Sequence, residues 1–302
     1  MAGQVVQAPT VIDQGISAKP DSPARRTLRR FLRHRLAVTG VIILIVIIIL
    51  ALLGSEEAAY KLDLSMGSTN QPPSDEHWFG TDALGRDVLA RTLVGGRVSL
   101  FVAFVSVAIA TFIGTSIGVT SGYTGGKVDQ TLMRIVDMVL SFPTILILVV
   151  VSALVGPGLV TLVFIIGAVT WAGGARIVRG ASLALRHATF IEAARVIGLP
   201  GPKMIRWHVL PNVIAPLVVF ATFGVASVII FEASLSYLGL GVQQPTPSWG
   251  NMLNAANSVT VLERYPWQWM PPAACIVLTV LAVNFIGDGL RDALDQRATT
   301  KR

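Results

Sequence analysis

The sequence predicts an all-α, polytopic membrane protein with six transmembrane helices. Only 14% of its 302 residues are charged and its mean hydropathy is +0.66, whereas soluble domains carry about a quarter charged residues. Its long apolar runs are apolar on every side. A soluble core and the strands of a membrane barrel would instead alternate apolar and polar residues. Lys and Arg are concentrated in segments that alternate with these runs, as in a chain that crosses a bilayer repeatedly.

The first predicted span is the run LAVTGVIILIVIIILALLG at 36–54, which contains no charged residue. At about 1.5 Å per residue, a helix of this length crosses roughly 30 Å of hydrocarbon. It lies too deep in the chain for a cleaved signal peptide. Backbone groups inside a bilayer need partners within their own segment, so the other apolar runs are also predicted as helices. They cover 98–119, 135–156, 159–175, 209–236 and 271–287.

The distribution of Lys and Arg predicts that both chain termini are cytoplasmic. Arginines crowd the tail sequence RRTLRRFLRHR at 25–35, directly before the first span. With this tail inside, the cytoplasmic segments carry 19 of the 24 Lys and Arg residues, as the positive-inside rule requires. The net charge of +7 therefore reflects topology, and the basic tail suits membrane lipid as a partner better than nucleic acid. The cytoplasmic segments are 1–35, 120–134, 176–208 and 288–302.

These assignments divide the chain into five parts. A basic cytoplasmic tail, whose first 24 residues are polar and predicted to be disordered, precedes the first span. The external segment that follows this span is acidic, and with about forty residues it is too long to be a mere connector. In the five-helix core, Gly-Pro-Gly at 156–158 predicts a tight turn between the third and fourth helices. The parts are 1–35, 36–54, 55–96, 97–290 and 291–302, with the cytoplasmic loop 176–208 inside the core.

A short charged segment, EAARVIGLPGPKMIRWHVLPN at 192–212, interrupts the core. Residues 192–197 are good helix formers, and the Gly and Pro residues of GLPGP then end the helix. Gly198 permits a sharp turn just beyond it. The small Ala193 and Ala194 would let this helix dock closely against another protein. A solvated loop without a partner is the alternative, and the residues by themselves leave both open.

The same segment resembles the cytoplasmic loop signature of ABC importer permeases. That signature reads Glu-Ala-Ala, three residues, Gly, nine residues, an apolar residue, one residue and Leu-Pro. Glu192 to Ala194, Gly198 and Leu210-Pro211 stand at the matching positions. His208 occupies the place where the family usually has Ile. A His there, followed by an apolar residue and Leu-Pro-Asn, is familiar in the peptide-importer branch.

Three further stretches resemble the oligopeptide and dipeptide permeases of this branch: 77–100, 122–143 and 231–253. The likeness covers roughly residues 25–295 and implies the type I ABC importer permease fold. It also implies a bacterial inner-membrane protein that works with a second homologous permease subunit, two ATP-binding subunits and an external substrate-binding protein. In that family the loop holds a coupling helix that sits in a groove of the ATP-hydrolysing subunit. The resemblance assigns that role here to Glu192, Ala193, Ala194, Gly198, His208, Leu210 and Pro211.

The chain itself is predicted to hold no cofactor and to catalyse no reaction. Its nearest approach to a phosphate-binding loop, SGYTGGKV at 121–128, lacks the first Gly and the final Ser or Thr. ATP and Mg²⁺ are therefore assigned to partner subunits. The single Cys275 and four scattered histidines show no metal-ligand spacing, so no metal site is predicted. The predicted cargo is a peptide, with glutathione, nickel or another small solute as alternatives.

Two other classes of function remain as alternatives. An intramembrane enzyme would need a nucleophile with a base or a metal cluster, and neither G-x-S-x-G nor H-E-x-x-H occurs. An ion-coupled secondary transporter would need several ionisable groups in mid-membrane, where only Asp137 and Glu232 are candidates. Either carboxylate could line the cargo route and meet a peptide's amine. Alternatively, Asp137 pairs with Arg134 on its own helix, and Glu232 lies in water or is hydrogen-bonded within the bundle.

The external segments 55–96 and 238–270 are predicted to form the docking face for the substrate-binding protein. Asp82, Arg86 and Asp87 fall within four or five residues of one another, where a helix would place them near one face. Charges at the rim of such an interface mainly alter the association rate and its salt dependence.

Overall fold

The computed structural model describes residues 23–60 and 68–295, and within these ranges the chain is a bundle of helices. Most of the tail predicted to be disordered, and the end of the predicted C-terminal tail, lie outside the described residues. The β structure of the described ranges is an isolated antiparallel bridge between Thr81 and Asp87. The helices are α1 (Pro23–Arg33), α2 (Arg35–Leu53), α3 (Glu56–Tyr60), α4 (Val88–Thr124), α5 (Gly126–Leu140), α6 (Thr144–Val155), α7 (Leu159–Arg186), α8 (Thr189–Val196), α9 (Gly201–Met204), α10 (Leu210–Tyr237), α11 (Trp249–Leu253), α12 (Val259–Arg264) and α13 (Met270–Leu294).

Five of the six predicted spans are continuous helices long and apolar enough to cross a membrane: α2, α4, α7, α13 and the unit Gly201–Tyr237. In that unit a π-helical turn, Ile205–Val209, joins α9 to α10. The remaining span, predicted as one helix at 135–156, is instead broken into α5 and α6, which meet at 84°. Pro143 explains the break, because it lacks an N–H for the helical ladder and drives Phe142 away from helical geometry. Among the described residues, the predicted count of six spans holds when this bent pair is taken as one.

α4 begins well before the predicted second span, so the last nine residues assigned to the external segment are helical. The cause is Asp87, whose carboxylate accepts a hydrogen bond of 2.7 Å from the backbone N–H of Ala90 and caps the helix. With 37 residues, α4 is about 55 Å long and reaches beyond the hydrocarbon layer. Likewise, α7 continues from the predicted fourth span to Arg186, and α13 continues past residue 290 to Leu294.

α4 and α7 pack closely because one face of α4 carries glycines four residues apart. A Cβ added at Gly118 would lie 2.5 Å from the carbonyl oxygen of Ala175, and one at Gly122 would lie 2.7 Å from that of Arg179. Small residues permit this backbone-to-backbone approach between helices in a membrane. The contact holds the C-terminal half of α7 in place, and that half leads directly into α8.

Two connections between spans can be compared with the sequence, the one from α6 to α7 and the one from α10 to α13. α6 ends at Val155 and α7 begins at Leu159, which confirms the tight turn predicted at 156–158. α10 and α13 are joined by α11, α12 and two 3₁₀ turns. Trp249, the first residue of α11, is buried, and its Nε1 donates a hydrogen bond of 2.9 Å to the carbonyl oxygen of Thr92 on α4. This anchor ties the connection to the end of the bundle where α4 begins.

Candidate coupling surface and transport pathway

The short helix predicted in the charged loop is α8, which begins at Thr189, three residues earlier than the sequence suggested. Gly198 has φ +80°, a backbone conformation that a side chain would penalise. Its N–H donates to the carbonyl oxygen of Arg195 at 3.0 Å, and the N–H of Leu199 donates to that of Ala194 at 3.1 Å. This pair of hydrogen bonds is the Schellman arrangement that closes a helix. The end of α8 is therefore a defined turn.

The two alanines of α8 face in different directions, which corrects the expectation that both are presented to a partner. Ala193 is exposed, but only 7% of the surface of Ala194 is accessible. Ala194 belongs to the same packed cluster as Ile191 and Met204. Residues three apart lie on one face of a helix, so Ile191 and Ala194 share the inner face. Ala194 thus helps to hold α8 against the chain.

α8 exposes an apolar pair that the sequence interpretation overlooked. Val196 is 87% exposed and Ile197 is 81% exposed, next to the turn at Gly198. Phe190, near the start of the helix, is also exposed. Adjacent exposed apolar side chains in a charged segment are typical of a surface that another protein covers. The signal was present in the sequence, because Val196-Ile197 are consecutive apolar residues between Arg195 and Gly198.

The remaining residues of the loop signature lie where the chain enters α10. His208 belongs to the π-helical turn, and its ring centroid is 6.3 Å from that of Phe190 on α8. Leu210 is partly buried against the cluster that contains Ala194, whereas Pro211 is exposed. The residues of the loop signature therefore lie on two neighbouring elements, the short helix α8 and the chain that leads into α10.

Asp137 pairs with α7 and not, as the sequence suggested, with Arg134 on its own helix. Its Oδ1 lies 2.5 Å from Nη2 of Arg176, and both side chains are exposed. A second pair joins the same two helices, because Arg179 contacts Asp129 through both Nε and Nη2. The two pairs fasten α5 to the segment of α7 that leads into α8.

Glu232 is fully buried and hydrogen-bonded within the bundle. Ser99 of α4 and Ser236 of α10 each donate a hydrogen bond of 2.9 Å to its carboxylate. Ser99 Oγ also accepts a hydrogen bond of 3.1 Å from the backbone N–H of Trp249. The carboxylate thus links α4, α10 and α11, which favours the internal hydrogen-bonding interpretation over a place on the cargo route.

A cavity of about 260 Å³ lies between α5, α7 and α10, beside the break that separates α5 from α6. Its walls are apolar and aromatic, with a few hydroxyl groups and no charged side chain. Neither Asp137 nor Glu232 lines it. The lining includes Thr144, Gly173, Phe220, Phe223, Ser227 and Phe231.

The three predicted docking residues lie in a turn, not in the helix that their spacing suggested. The turn is closed by the bridge between Thr81 and Asp87, and Gly85 within it has φ +70°. Asp82 accepts a hydrogen bond of 2.7 Å from Nε of Arg86, and Arg86 also donates to the side-chain oxygen of Gln244 at 3.0 Å. Little of either side chain is exposed, so both mainly fasten the turn to the connection between α10 and α13.

Asp87 likewise makes contacts within the chain. Besides capping α4, its carboxylate lies 2.8 Å from Nδ1 of His77. Arg91 of α4, which is almost completely buried, reaches Gln244 Oε1 at 3.3 Å and the carboxylate of Asp82 at 3.6 Å. The network therefore holds the turn at 81–87, α4 and the α10–α13 connection together.

Residues 114–300 match the family model of the binding-protein-dependent transport system inner membrane component. The chain belongs to this family. Residues 22–73 of the permease also match the model of the N-terminal transmembrane domain of oligopeptide transport permease C. Subunits of this family are generally non-catalytic, multi-pass membrane proteins, which agrees with the helices described above.

Similar proteins span nearly all of the permease. A protein of Brucella suis biovar 1 that bears the provisional name peptide permease protein is 46% identical over 277 residues, which are 91% of this chain and 92% of the relative. The glutathione transport system permease protein GsiD of Escherichia coli O6:K15:H31 is 43% identical over 284 residues, 92% and 93% of the two chains.

Among solved structures, a chain of the MetNI methionine ABC transporter in an inward-facing conformation matches with a TM-score of 0.53 and 22% identity. The match covers 68% of the permease and 97% of that chain. It confirms the type I ABC importer permease fold.

Proposed function

We propose that this chain is the membrane-spanning subunit of an ATP-driven importer that forms the pathway for peptides delivered by an external substrate-binding protein. The family supports an importer, and the names of the similar proteins support a peptide cargo. The observation that carries the mechanism is α8, an apolar-tipped helix whose end is fixed by the turn at Gly198. Such a helix has the shape and chemistry to fit a groove of a partner subunit.

The proposed assembly contains this permease, a second homologous permease, two ATP-binding subunits and the binding protein. Both termini and α8 are proposed to lie in the cytoplasm of a bacterial cell, because segments rich in Lys and Arg stay on the cytoplasmic side of a membrane. ATP and Mg²⁺ would be bound by the partner subunits. A movement of α8 would reach the cavity through α7, because α8 follows α7 directly and two ion pairs join α7 to α5.

The cavity between α5, α7 and α10 is proposed as this subunit's wall of the cargo pathway. Its uncharged lining would select poorly among peptides of different charge, so selection would fall to the binding protein. Glutathione is the second candidate cargo, because the similarity to the glutathione permease covers nearly the whole chain.

Reconstitution tests this proposal directly. The assembled complex in liposomes should accumulate a labelled peptide only when ATP and the binding protein are both supplied. Competition by glutathione separates the two cargoes, since unlabelled glutathione should reduce uptake only if it is also carried. Peptide uptake that continues without ATP, driven by an ion gradient, would contradict the importer class.

A further inference from the structure

α1 is a separate helix that stops immediately before the first membrane span. His34, between α1 and α2, has φ −82° and ψ 98°, which are not helical values. Its Nδ1 accepts a hydrogen bond of 3.1 Å from the backbone N–H of Ala37 and so caps α2. α2 starts at Arg35 and has 19 residues, all of which are needed to cross the hydrocarbon layer. α1 is therefore held at the membrane surface by its covalent connection to α2.

The two sides of α1 differ sharply in chemistry. Leu28 and Leu32, one helical turn apart, are both more than half exposed. With Phe31 they occupy an arc of about 100°, at the helical rotation of about 100° per residue. The helix contains no acidic residue and five arginines, all exposed, which lie outside that arc: Arg25, Arg26, Arg29, Arg30 and Arg33.

The bundle fixes α1 without covering its leucines. Phe31 packs against α13, where a Cβ added at Gly289 would lie 3.3 Å from Cε2 of the Phe31 ring. Nε2 of His34 is 3.6 Å from the carboxylate of Asp292, also on α13. These two contacts hold one edge of α1 against the bundle, while Leu28 and Leu32 remain exposed.

We propose that α1 lies in the plane of the bilayer surface and binds anionic phospholipid. Leu28 and Leu32 enter the acyl-chain boundary, and the arginines contact headgroup phosphates, which suit the planar guanidinium fork. Two observations select this partner: five positive charges in eleven residues call for an anionic surface, and the link through His34 puts a bilayer beside the helix. This role is independent of the cargo and of the ATP-binding subunits.

Site-directed spin labelling of the full chain in lipid nanodiscs tests the proposal. Labels would be attached at Leu28→Cys, Leu32→Cys or Arg26→Cys in a Cys275→Ala background. In discs that contain phosphatidylglycerol, labels at positions 28 and 32 should collide preferentially with oxygen, and the label at 26 with a water-soluble nickel chelate. In phosphatidylcholine discs the inserted fraction should fall, because each arginine near an anionic surface contributes roughly a fivefold factor.

A second experiment removes arginines from α1 and measures how the insertion of the helix changes. With the label at position 32, Arg26→Gln/Arg33→Gln should reduce the ratio of inserted to water-exposed label by about 25-fold in anionic discs. The control Arg195→Gln/Arg206→Gln removes the same charge elsewhere in the basic segments and should leave this ratio of inserted to water-exposed label unchanged. Three results would overturn the proposal: water-exposed labels at 28 and 32 in anionic discs, equal insertion in both lipids, or labels shielded from both reagents only when ATP-binding subunits are present.

Discussion

Arg179 of α7 donates two parallel hydrogen bonds to Asp129 of α5, from Nε at 2.5 Å and from Nη2 at 2.6 Å. Ser121 of α4 donates a third to the same carboxylate. Three helices thus meet at one acidic side chain, close to the point where α7 leads into α8. A displacement of α8 would reach α5, and with it the cavity wall, through this contact.

Breaking this contact should destabilise the bundle more than breaking the exposed pair nearby. Asp129→Asn should cost about 1–3 kcal/mol, because a partly buried guanidinium loses its charged acceptor. Asp137→Asn should cost no more than about 1 kcal/mol, because both partners of that pair are exposed. Thermal unfolding of the purified chain in detergent measures both. Equal effects of the two substitutions would contradict the structural role assigned to Asp129.

Glu232→Gln should reduce uptake of peptides with free and with acetylated amino termini to the same extent. The carboxylate is buried between Ser99 and Ser236, so we expect that cargo does not meet it, and the amide retains the size of the side chain. Glu232→Ala should be more harmful, since each buried hydroxyl left without a partner costs about 1–3 kcal/mol. A loss confined to peptides with a free amine would instead show that Glu232 contacts cargo.

Gly118→Ala should destabilise the chain by about 1–3 kcal/mol, because the new methyl group would meet the Ala175 carbonyl oxygen at 2.5 Å. Gly173→Ala is the control within α7, since a Cβ there would lie 3.5 Å from the nearest atom, the Cε2 of Phe220. Unfolding temperatures should separate the two variants. If both behaved as the parent does, the close approach of α4 and α7 would not depend on glycine.

The sequence predicted the number and approximate positions of the spans, because apolar composition dominates the insertion of a helix into a bilayer. It also predicted the turn at 156–158 and the turn at Gly198, because Gly and Pro residues at these positions determine the backbone locally. The break in the predicted third span was also encoded locally, in Pro143, but the apolar character of 135–156 concealed it. The burial of Ala194 follows from helical spacing with Ile191 once the helix is known to begin at Thr189.

The side-chain partners could not be predicted, since they depend on contacts between distant parts of the chain. Asp137 pairs with a residue 39 positions away, and Arg134, its predicted partner, was suggested only by helical spacing. Asp82 and Arg86 are four residues apart in a turn as they would be in a helix, so spacing could not distinguish the two. Gln244, which accepts hydrogen bonds from Arg86 and Arg91, lies more than 150 residues away from both.

Gly198→Ala should lower the amount of peptide transported per ATP while leaving membrane insertion normal. The positive φ disfavours any side chain, so the turn that ends α8 would shift. Gly180→Ala on α7 is the control, because both glycines have open space around an added Cβ but Gly180 lies within a regular helix. Equal coupling in the two variants would show that the geometry of this turn is not needed.

The account is tested most directly by measuring the affinity of the permease for the proposed ATP-binding subunits, which the apolar tip of α8 (Val196 and Ile197) is expected to contact. Val196→Ser/Ile197→Ser should weaken this binding about tenfold or more, because side chains of this size contribute about 1.5–3 kcal/mol each when fully buried. Val259→Ser/Leu262→Ser also removes two exposed apolar side chains, from α12, far from α8 in sequence, and should leave the affinity unchanged. Unchanged affinity and unchanged ATP-driven uptake with Val196→Ser/Ile197→Ser would show that α8 does not couple this permease to ATP hydrolysis.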